Sequence, residues 1–306
     1  MNRMTTLAAA LMAACFSCAP RADIDIDRVD VHADVIYGHK FGLALTLDVY
    51  QPSRPGRGAV IFVNSGGYES GQLRQWEDRG GRPRWIPPDR LRIMGSPEPI
   101  PLLEQFSFID LLRAGLTVFD LRHGSSPKFT LDEIVADVGM GAAYIKAHAG
   151  EYGVDPDRLA LFGASSGGHL AIYLALTAHE GFRFRGVGAY YPVGFDAVDT
   201  LERFPFLSDA IPALRVDKKI LAALSLRNHI SPDAPPLFIV YGEDDFPFVT
   251  ETCESLKTAY EADPLEFRAI AIPGTAHEFR GTDGYQSQNG LRARKEMAVW
   301  LSEHLK

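Results

Sequence analysis

The stretch Gly163-Ala164-Ser165-Ser166-Gly167 places one serine midway between two glycines. An apolar run at 158–162 precedes it, and residues 168–176 after it combine helix-forming and apolar residues. We therefore predict a buried strand, a sharp turn at Ser165 and a helix, in that order. Such a turn strains the backbone and accepts only small neighbours, which explains the glycine on either side. The hydroxyl then lies at a helix N-terminus, where negative charge is stabilised.

Similar apolar runs recur along the chain, with helical patterns between them. We predict strands at 59–63, 116–120, 186–190, 237–241 and 267–272. Thr130 and Glu133 fit a capping box before apolar residues at helical spacing, so we predict a helix at 132–149, and a last helix at 291–304. Strands separated by helices form a mostly parallel sheet with helices on both faces. Ligands bind such sheets at the carboxyl ends of the strands.

The N-terminal part has a different pattern. Residues 33–38 and 43–50 are strand-like, the second with period two, and a loop between Gly38 and Gly42 joins them. We predict an antiparallel hairpin that precedes the parallel strands. Since no linker-like composition interrupts the later alternation, residues 23–306 are predicted to form a single α/β domain.

Composition and charge exclude some classes of function. The chain has 306 residues, of which 46% are hydrophobic and 23% charged, enough for one large core. Its formal net charge of −8 argues against polyanionic partners, so we expect no nucleic acid binding. The cysteines are Cys15, Cys18 and Cys253. The first two lie at the N-terminal signal described next, so we expect no internal disulfide, and we interpret Cys253 as a small buried residue on a helix.

Residues 1–19 have the features of an export signal, because Arg3 precedes a short apolar segment of small residues. The segment is too short to span a bilayer. Two cleavage sites remain open. Cleavage after Ala14 would leave Cys15 for lipid attachment and a membrane tether, whereas cleavage after Ala19 would release a soluble protein. We expect an exported protein, periplasmic or extracellular, with or without the anchor.

Residues 70–101 interrupt the alternation and are rich in Arg, Pro and Gly. A segment of this length inside a domain is usually functional or mobile. Because it follows a glycine loop at Gly66 and Gly67, we interpret it as a lid or pocket wall. A solvated loop anchored by Trp76 and Trp85 is an equal alternative.

A serine hydroxyl is a weak nucleophile at neutral pH and needs a histidine base that a carboxylate orients. On a strand–serine–helix scaffold, the acid and then the histidine follow the serine along the chain. Of nine histidines, His277 follows a predicted strand and a glycine turn late in the chain, and we predict it as the base. Glu243, Asp244 and Asp245 compete as the acid, and we favour Asp245, three residues beyond the strand-ending Gly242.

The oxyanion of an acyl-transfer intermediate needs N–H donors already in position. One is expected from Ser166, and the other from the loop after strand 59–63, where Gly66 and Gly67 allow close approach to a substrate.

Four further side chains are assigned around the serine. Tyr68, His123 and Phe246 are predicted to line the substrate pocket. His169 lies too close to Ser165 to act as its base and is interpreted as structural.

From about residue 33 to the C-terminus the chain resembles the α/β-hydrolase superfamily, and within it carboxylesterases and acetyl esterases similar to hormone-sensitive lipase. The motifs that carry the resemblance are Leu47-Asp48-Val49-Tyr50-Gln51-Pro52, the Gly66-Gly67 loop, the stretch from Gly163 to Ala171, Ser231-Pro232-Asp233-Ala234-Pro235-Pro236, and the turns at Asp245 and His277. The resemblance implies that the last two glycines of the loop supply oxyanion donors. The family usually has His-Gly-Gly-Gly there, whereas this chain has Asn64 and Ser65 in the first two places.

Together these features predict a serine hydrolase that cleaves carboxylic esters through an acyl-enzyme, with small acyl groups such as acetyl. Its expected substrates are small-molecule or polysaccharide-linked esters. No metal or organic cofactor is implied, because the sequence has neither a metal-ligand cluster nor a phosphate-binding loop. Two alternatives remain: a serine exopeptidase of the same fold, and a non-catalytic binding protein on this scaffold.

Overall fold

A central sheet organises the part of the chain that the computed structural model describes, which comprises residues 29–71, 108–178, 182–281 and 287–306. Its eight strands are β1 (Asp30–Lys40), β2 (Leu43–Gln51), β3 (Ala59–Val63), β4 (Thr117–Leu121), β5 (Leu159–Ala164), β6 (Val187–Tyr190), β7 (Leu237–Gly242) and β8 (Phe267–Ile272). They lie in the order β1-β2-β4-β3-β5-β6-β7-β8.

The six strands from β3 to β8 pair in parallel. Every side chain of β3, β4, β5, β6 and β7 is buried. Because successive side chains of a strand point to opposite faces, this burial means that both faces of the sheet are covered. The predicted mostly parallel sheet is confirmed, and its predicted parallel strands agree with the observed ones to within two residues at each end.

The N-terminal hairpin is also confirmed, with a shorter loop than predicted. β1 pairs antiparallel with β2, and β2 pairs antiparallel with β4, so the hairpin extends the sheet at one edge. The turn consists of Phe41 and Gly42, which have φ angles of 47° and 78°. Two positive φ angles match the twist of a two-residue hairpin turn. The loop therefore needs only Phe41 and Gly42, and Gly38 belongs to β1.

Helices cover the sheet. They are α1 (Phe108–Arg113), α2 (Leu131–His148), α3 (Ser166–Thr177), α4 (Ala197–Arg203), α5 (Phe206–Ala210), α6 (Lys218–Ala223), α7 (Pro247–Ala262) and α8 (Gln288–His304). α2 begins at its predicted capping box, where the Thr130 N–H donates to Glu133 Oε2 at 2.9 Å. The predicted last helix is confirmed as α8. The short helices α4 to α6, between β6 and β7, were not predicted.

Two predictions lie outside the described residues. They are the export signal at 1–19, with Cys15, and the lid-like segment at 70–101 beyond Gly71. Within the described ranges, none of the helices has the length and apolarity needed to cross a membrane.

Candidate active site

The turn between β5 and α3 holds Ser165 in a strained conformation, with φ 54° and ψ −121°. Non-glycine residues rarely adopt a positive φ, and such strain is concentrated at functional sites. Close contacts explain the flanking glycines. A Cβ on Gly163 would lie 2.2 Å from the Gly167 carbonyl oxygen, and one on Gly167 would lie 2.4 Å from that of Val63. Ser165 itself is the N-cap of α3 and directly follows the carboxyl end of β5.

Two loops at the same edge of the sheet bring Asp245 and His277 into contact. Asp245 follows β7 and His277 follows β8. Nδ1 of His277 lies 2.9 Å from Oδ1 and 3.0 Å from Oδ2 of Asp245. Because an ionised carboxylate only accepts, Nδ1 carries the hydrogen, and Nε2 keeps the lone pair that can take a proton. The competing carboxylates of Glu243 and Asp244 are exposed.

A glycine allows these two loops to touch. A Cβ on Gly242 would lie 2.1 Å from the Thr275 carbonyl oxygen. That carbonyl accepts the Asp244 N–H at 3.0 Å, and the Ile272 carbonyl accepts the Glu243 N–H at 3.1 Å. Backbone hydrogen bonds therefore fix the separation of the loops that carry Asp245 and His277.

Opposing effects set the basicity of His277. Burial lowers its pKa, but the hydrogen bond and charge of Asp245, together with the charge of Glu278, outweigh burial and raise the pKa above its usual 6.5. The Asp245 side chain is fully buried, and its Oδ1 also accepts the Phe246 N–H at 2.7 Å. The carboxylate is thus held in one orientation against the imidazole.

Ser165 and His277 both border the Tyr190–Tyr191 dipeptide at the end of β6. The Ser165 N–H donates to the Tyr190 carbonyl at 2.9 Å. The ring centroids of Tyr191 and His277 lie 4.4 Å apart. The predicted nucleophile and the predicted base therefore flank one dipeptide at the carboxyl edge of the sheet.

The loop after β3 is a tight turn from Gly66 to Glu69. The Gly66 N–H donates to the Glu69 carbonyl at 2.8 Å, and the Glu69 N–H donates back at 3.1 Å. Gly67 and Tyr68 have φ angles of 59° and 62°, as in a type I′ turn. The turn uses the Gly66 N–H in this structure, and the predicted role of Gly66 as an oxyanion donor stays a prediction. Gly67 remains a candidate donor, since its N–H has no hydrogen-bond partner among the described residues.

Ser166 makes side-chain contacts that the sequence did not reveal. Its Oγ accepts the Tyr68 N–H at 3.0 Å and lies 3.0 Å from the Ser65 Oγ. Its backbone N–H lies in the first turn of α3, where N–H groups have no acceptor within the helix. Its role as an oxyanion donor stays a prediction.

Tyr68 lies in the interior beside His169, and its predicted role in the substrate pocket stays a prediction. Tyr68 is only 3% exposed, and its hydroxyl lies 2.9 Å from Nδ1 of His169. His169 is fully buried, as its structural interpretation requires, and its Nε2 lies 2.8 Å from the Leu224 carbonyl oxygen. The tyrosine and the histidine are 101 residues apart in the sequence. No local pattern could pair them, and the only signal was a tyrosine inside a glycine turn.

Asn64 stands where the family usually has histidine, and it anchors the start of this loop. Its Nδ2 donates to the Gly71 carbonyl and to Oδ1 of Asp120, both at 2.8 Å. Asp120 belongs to β4 and is fully buried. The departure from the family motif thus leaves the loop tied to the sheet.

The remaining assigned residues differ in outcome. His123 is buried, burial lowers its pKa to about 4, and its predicted pocket role stays a prediction. Phe246 is 50% exposed, with its ring centroid 5.5 Å from that of His277, and its pocket role stays a prediction. Cys253 is fully buried on α7, as interpreted, and burial raises the pKa of its thiol.

Solved structures of the same architecture are described as esterases. A structure titled as an arylesterase has a TM-score of 0.67 at 17% identity, covering 94% of this chain and 89% of that one. A truncated carbohydrate esterase from gut microbiota has a TM-score of 0.64 at 17% identity, covering 90% and 96%. This chain shares the fold of those esterases. The predicted α/β-hydrolase fold is therefore confirmed.

Proteins similar to this chain in sequence are named as esterases too. The BD-FAE family model matches residues 103–193. Probable carboxylic ester hydrolase LipM of Mycobacterium tuberculosis is 31% identical over 151 residues, which is 44% of this chain. Esterase LipQ of the same organism is 27% identical over 165 residues, which is 49% of this chain. The segments of this chain that match cover 35% of the length of LipM and 38% of the length of LipQ.

Proposed function

We propose that this chain is a serine esterase that cleaves carboxylic esters through an acyl-enzyme. The observation that carries the proposal is the buried Asp245 carboxylate on His277, at the sheet edge where the strained turn presents Ser165. The printed names of LipM and LipQ support esters as the substrate class.

In the proposed mechanism these groups act in the following order. Ser165 Oγ attacks the ester carbonyl carbon while Nε2 of His277 takes the hydroxyl proton, and the carbonyl electron pair moves onto oxygen. The N–H groups of Gly67 and Ser166 stabilise that oxyanion. Its collapse expels the alcohol, which receives the proton from His277. Water then repeats the sequence on the acyl-enzyme and releases the acid, while Asp245 stays ionised throughout.

We propose short acyl groups, acetyl or similar, as the substrates, on sequence grounds. The half-exposed Phe246 beside His277 supplies an apolar wall for such a group. Export through the signal at 1–19, with or without a membrane tether through Cys15, is proposed from the sequence alone.

The decisive experiment labels the serine and measures turnover on the same protein. We expect a fluorophosphonate probe to modify Ser165, and p-nitrophenyl acetate to be hydrolysed faster than the octanoate. Ser165→Ala should lose both reactions, while Ser53→Ala, an exposed residue just after β2 at the opposite edge of the sheet, keeps them. Hydrolysis of aminoacyl p-nitroanilides in preference to esters would favour the exopeptidase alternative. Absence of labelling and of turnover in the wild type would overturn the proposal.

A further inference from the structure

A buried chain of hydrogen bonds connects the oxyanion loop to the interior, and the mechanism above does not use it. It runs from the Leu224 carbonyl to His169, then to Tyr68 and on to Ser166. Leu224 follows α6, so these hydrogen bonds link the region of short helices to the first turn of α3. The inference drawn from it rests on the proposed esterase function.

Tyr68 occupies a backbone position that suits glycine or asparagine. With φ 62° it is the second central residue of the Gly66–Glu69 turn, where both central residues need a positive φ. A bulky side chain in that conformation persists only when its surroundings over-determine it. Three hydrogen bonds hold Tyr68 in this conformation. Its hydroxyl bonds to His169, its N–H donates to Ser166 Oγ, and its carbonyl oxygen accepts the Ser126 N–H at 3.1 Å.

The direction of each hydrogen bond in the chain is fixed. The Leu224 carbonyl can only accept, so Nε2 of His169 carries the hydrogen. Burial lowers the pKa of His169 to about 4, so its Nδ1 is an unprotonated acceptor near neutral pH. The Tyr68 hydroxyl must then donate to Nδ1. Each group is buried and each bond has one orientation, so the chain holds the loop in one arrangement.

We propose that Tyr68 and His169 are positioning residues that hold the oxyanion loop in register with the first turn of α3. The candidate donor N–H of Gly67 immediately precedes Tyr68, and the other donor belongs to Ser166, whose side chain accepts the Tyr68 N–H. The Tyr68 hydroxyl bond therefore fixes the distance between the two donors. Loss of that bond loosens the donors without touching Ser165, His277 or the acyl site. Its effect belongs to the transition state and not to substrate binding.

The test compares two buried tyrosines that each lose one hydroxyl. Tyr68→Phe removes the bond to His169, while Tyr260→Phe removes a bond of 3.3 Å to the Pro235 carbonyl, on α7 and away from the site. We expect Tyr68→Phe to lower kcat on p-nitrophenyl acetate by about ten-fold with KM nearly unchanged, since small misplacements of catalytic groups have effects of this size. Tyr260→Phe should keep kcat even where its melting temperature falls.

A transition-state readout separates positioning from general destabilisation. A trifluoromethyl ketone forms a tetrahedral oxyanion adduct with the serine, so its inhibition constant should rise in Tyr68→Phe by the factor by which kcat/KM falls. A pair at His169 repeats the test. His169→Gln places its amide at the former position of Nε2, near Leu224, and leaves no acceptor at the former position of Nδ1 for Tyr68. It should therefore behave as Tyr68→Phe does. His169→Asn keeps the acceptor and should retain kcat within about three-fold.

The outcomes distinguish this inference from the function on which it rests. An inactive wild type defeats the esterase proposal, and the positioning role with it. An active wild type with unchanged kcat in both Tyr68→Phe and His169→Gln defeats the positioning role alone. Equal losses of kcat in Tyr68→Phe and Tyr260→Phe would likewise overturn it, because general loosening of the core would then explain both.

Discussion

At the scale of single residues, His277 decides the pH range of activity in the proposed mechanism. Burial lowers its pKa, and the bond and charge of Asp245 with the charge of Glu278 raise it further than burial lowers it. The base must be neutral to take a proton from Ser165, so activity falls as the pH drops through this raised pKa. The contribution of His277 to the free energy of unfolding has the opposite pH dependence. It is fully present below the unfolded pKa and is lost as the pH rises through the folded one.

Asp245→Asn should lower kcat by about 10³ to 10⁴, because the imidazole loses the partner that fixes its tautomer and stabilises its cation. The acid limb of kcat/KM should also move to lower pH, because the group that raises the pKa of His277 is gone. The measurement is a pH profile of ester hydrolysis. Asp244→Asn is the matched control, since this exposed neighbour should keep the wild-type profile. An unmoved acid limb in Asp245→Asn would show that another group titrates there.

The sequence could predict that Asp245 and His277 meet, because both follow buried strands, whose apolar runs are visible, and because the chain order on this fold is fixed. It could not show that Gly66 uses its N–H in a turn or that Tyr68 is buried. Both facts depend on partners elsewhere, namely the carbonyl of Glu69 and the ring of His169. Contacts between distant residues leave no local pattern to detect.

At the scale of helices and strands, long or fully buried elements were predictable and short ones were not. Ala59–Val63 is a continuous apolar run, and α2 has both a capping box and apolar residues at helical spacing. α4, α5 and α6 have five to seven residues each, too few to show a helical period. Side-chain caps mark the starts of α4 and α6 instead. One example is the Asp217 side chain, which accepts the Lys219 N–H at 2.7 Å.

Two glycines of α2 test how far packing controls helix stability. A methyl group added at Gly139 would meet open space, so Gly139→Ala should gain the helix preference of alanine, about 0.5–1 kcal/mol, and raise the melting temperature by about 2–4 °C. A Cβ on Gly141 would lie 2.2 Å from Cδ1 of the fully buried Leu121, so Gly141→Ala should destabilise by about 1–3 kcal/mol. Thermal unfolding of the pair measures the difference, and equal melting temperatures would refute it.

At the scale of the whole molecule, a buried ion cluster ties the N-terminal hairpin to the parallel sheet. Nη2 of Arg122, just after β4, lies 3.0 Å from Oδ1 of Asp48 on β2 and 3.5 Å from Oδ1 of Asp34 on β1. Its Nη1 lies 3.5 Å from Oδ2 of Asp120, and Oδ1 of the same carboxylate accepts the Asn64 amide N–H. The side chains of Asp48 and Asp120 are fully buried. One network therefore connects both strands of the hairpin to the loop that carries the candidate oxyanion donor Gly67.

Arg122→Met should cost about 3–5 kcal/mol of unfolding free energy, because it leaves two buried carboxylates without their shared cation. Chemical denaturation measures that loss. The control is Arg215→Met, which breaks an exposed pair with Asp209 at 3.2 Å and should leave stability almost unchanged, since solvent already screens that pair. Because Asp120 also holds Asn64, folded Arg122→Met should lose kcat more than it raises KM. If Arg122→Met and Arg215→Met lose equally little, the hairpin is held by its strand pairing alone, and the oxyanion loop does not depend on the cluster.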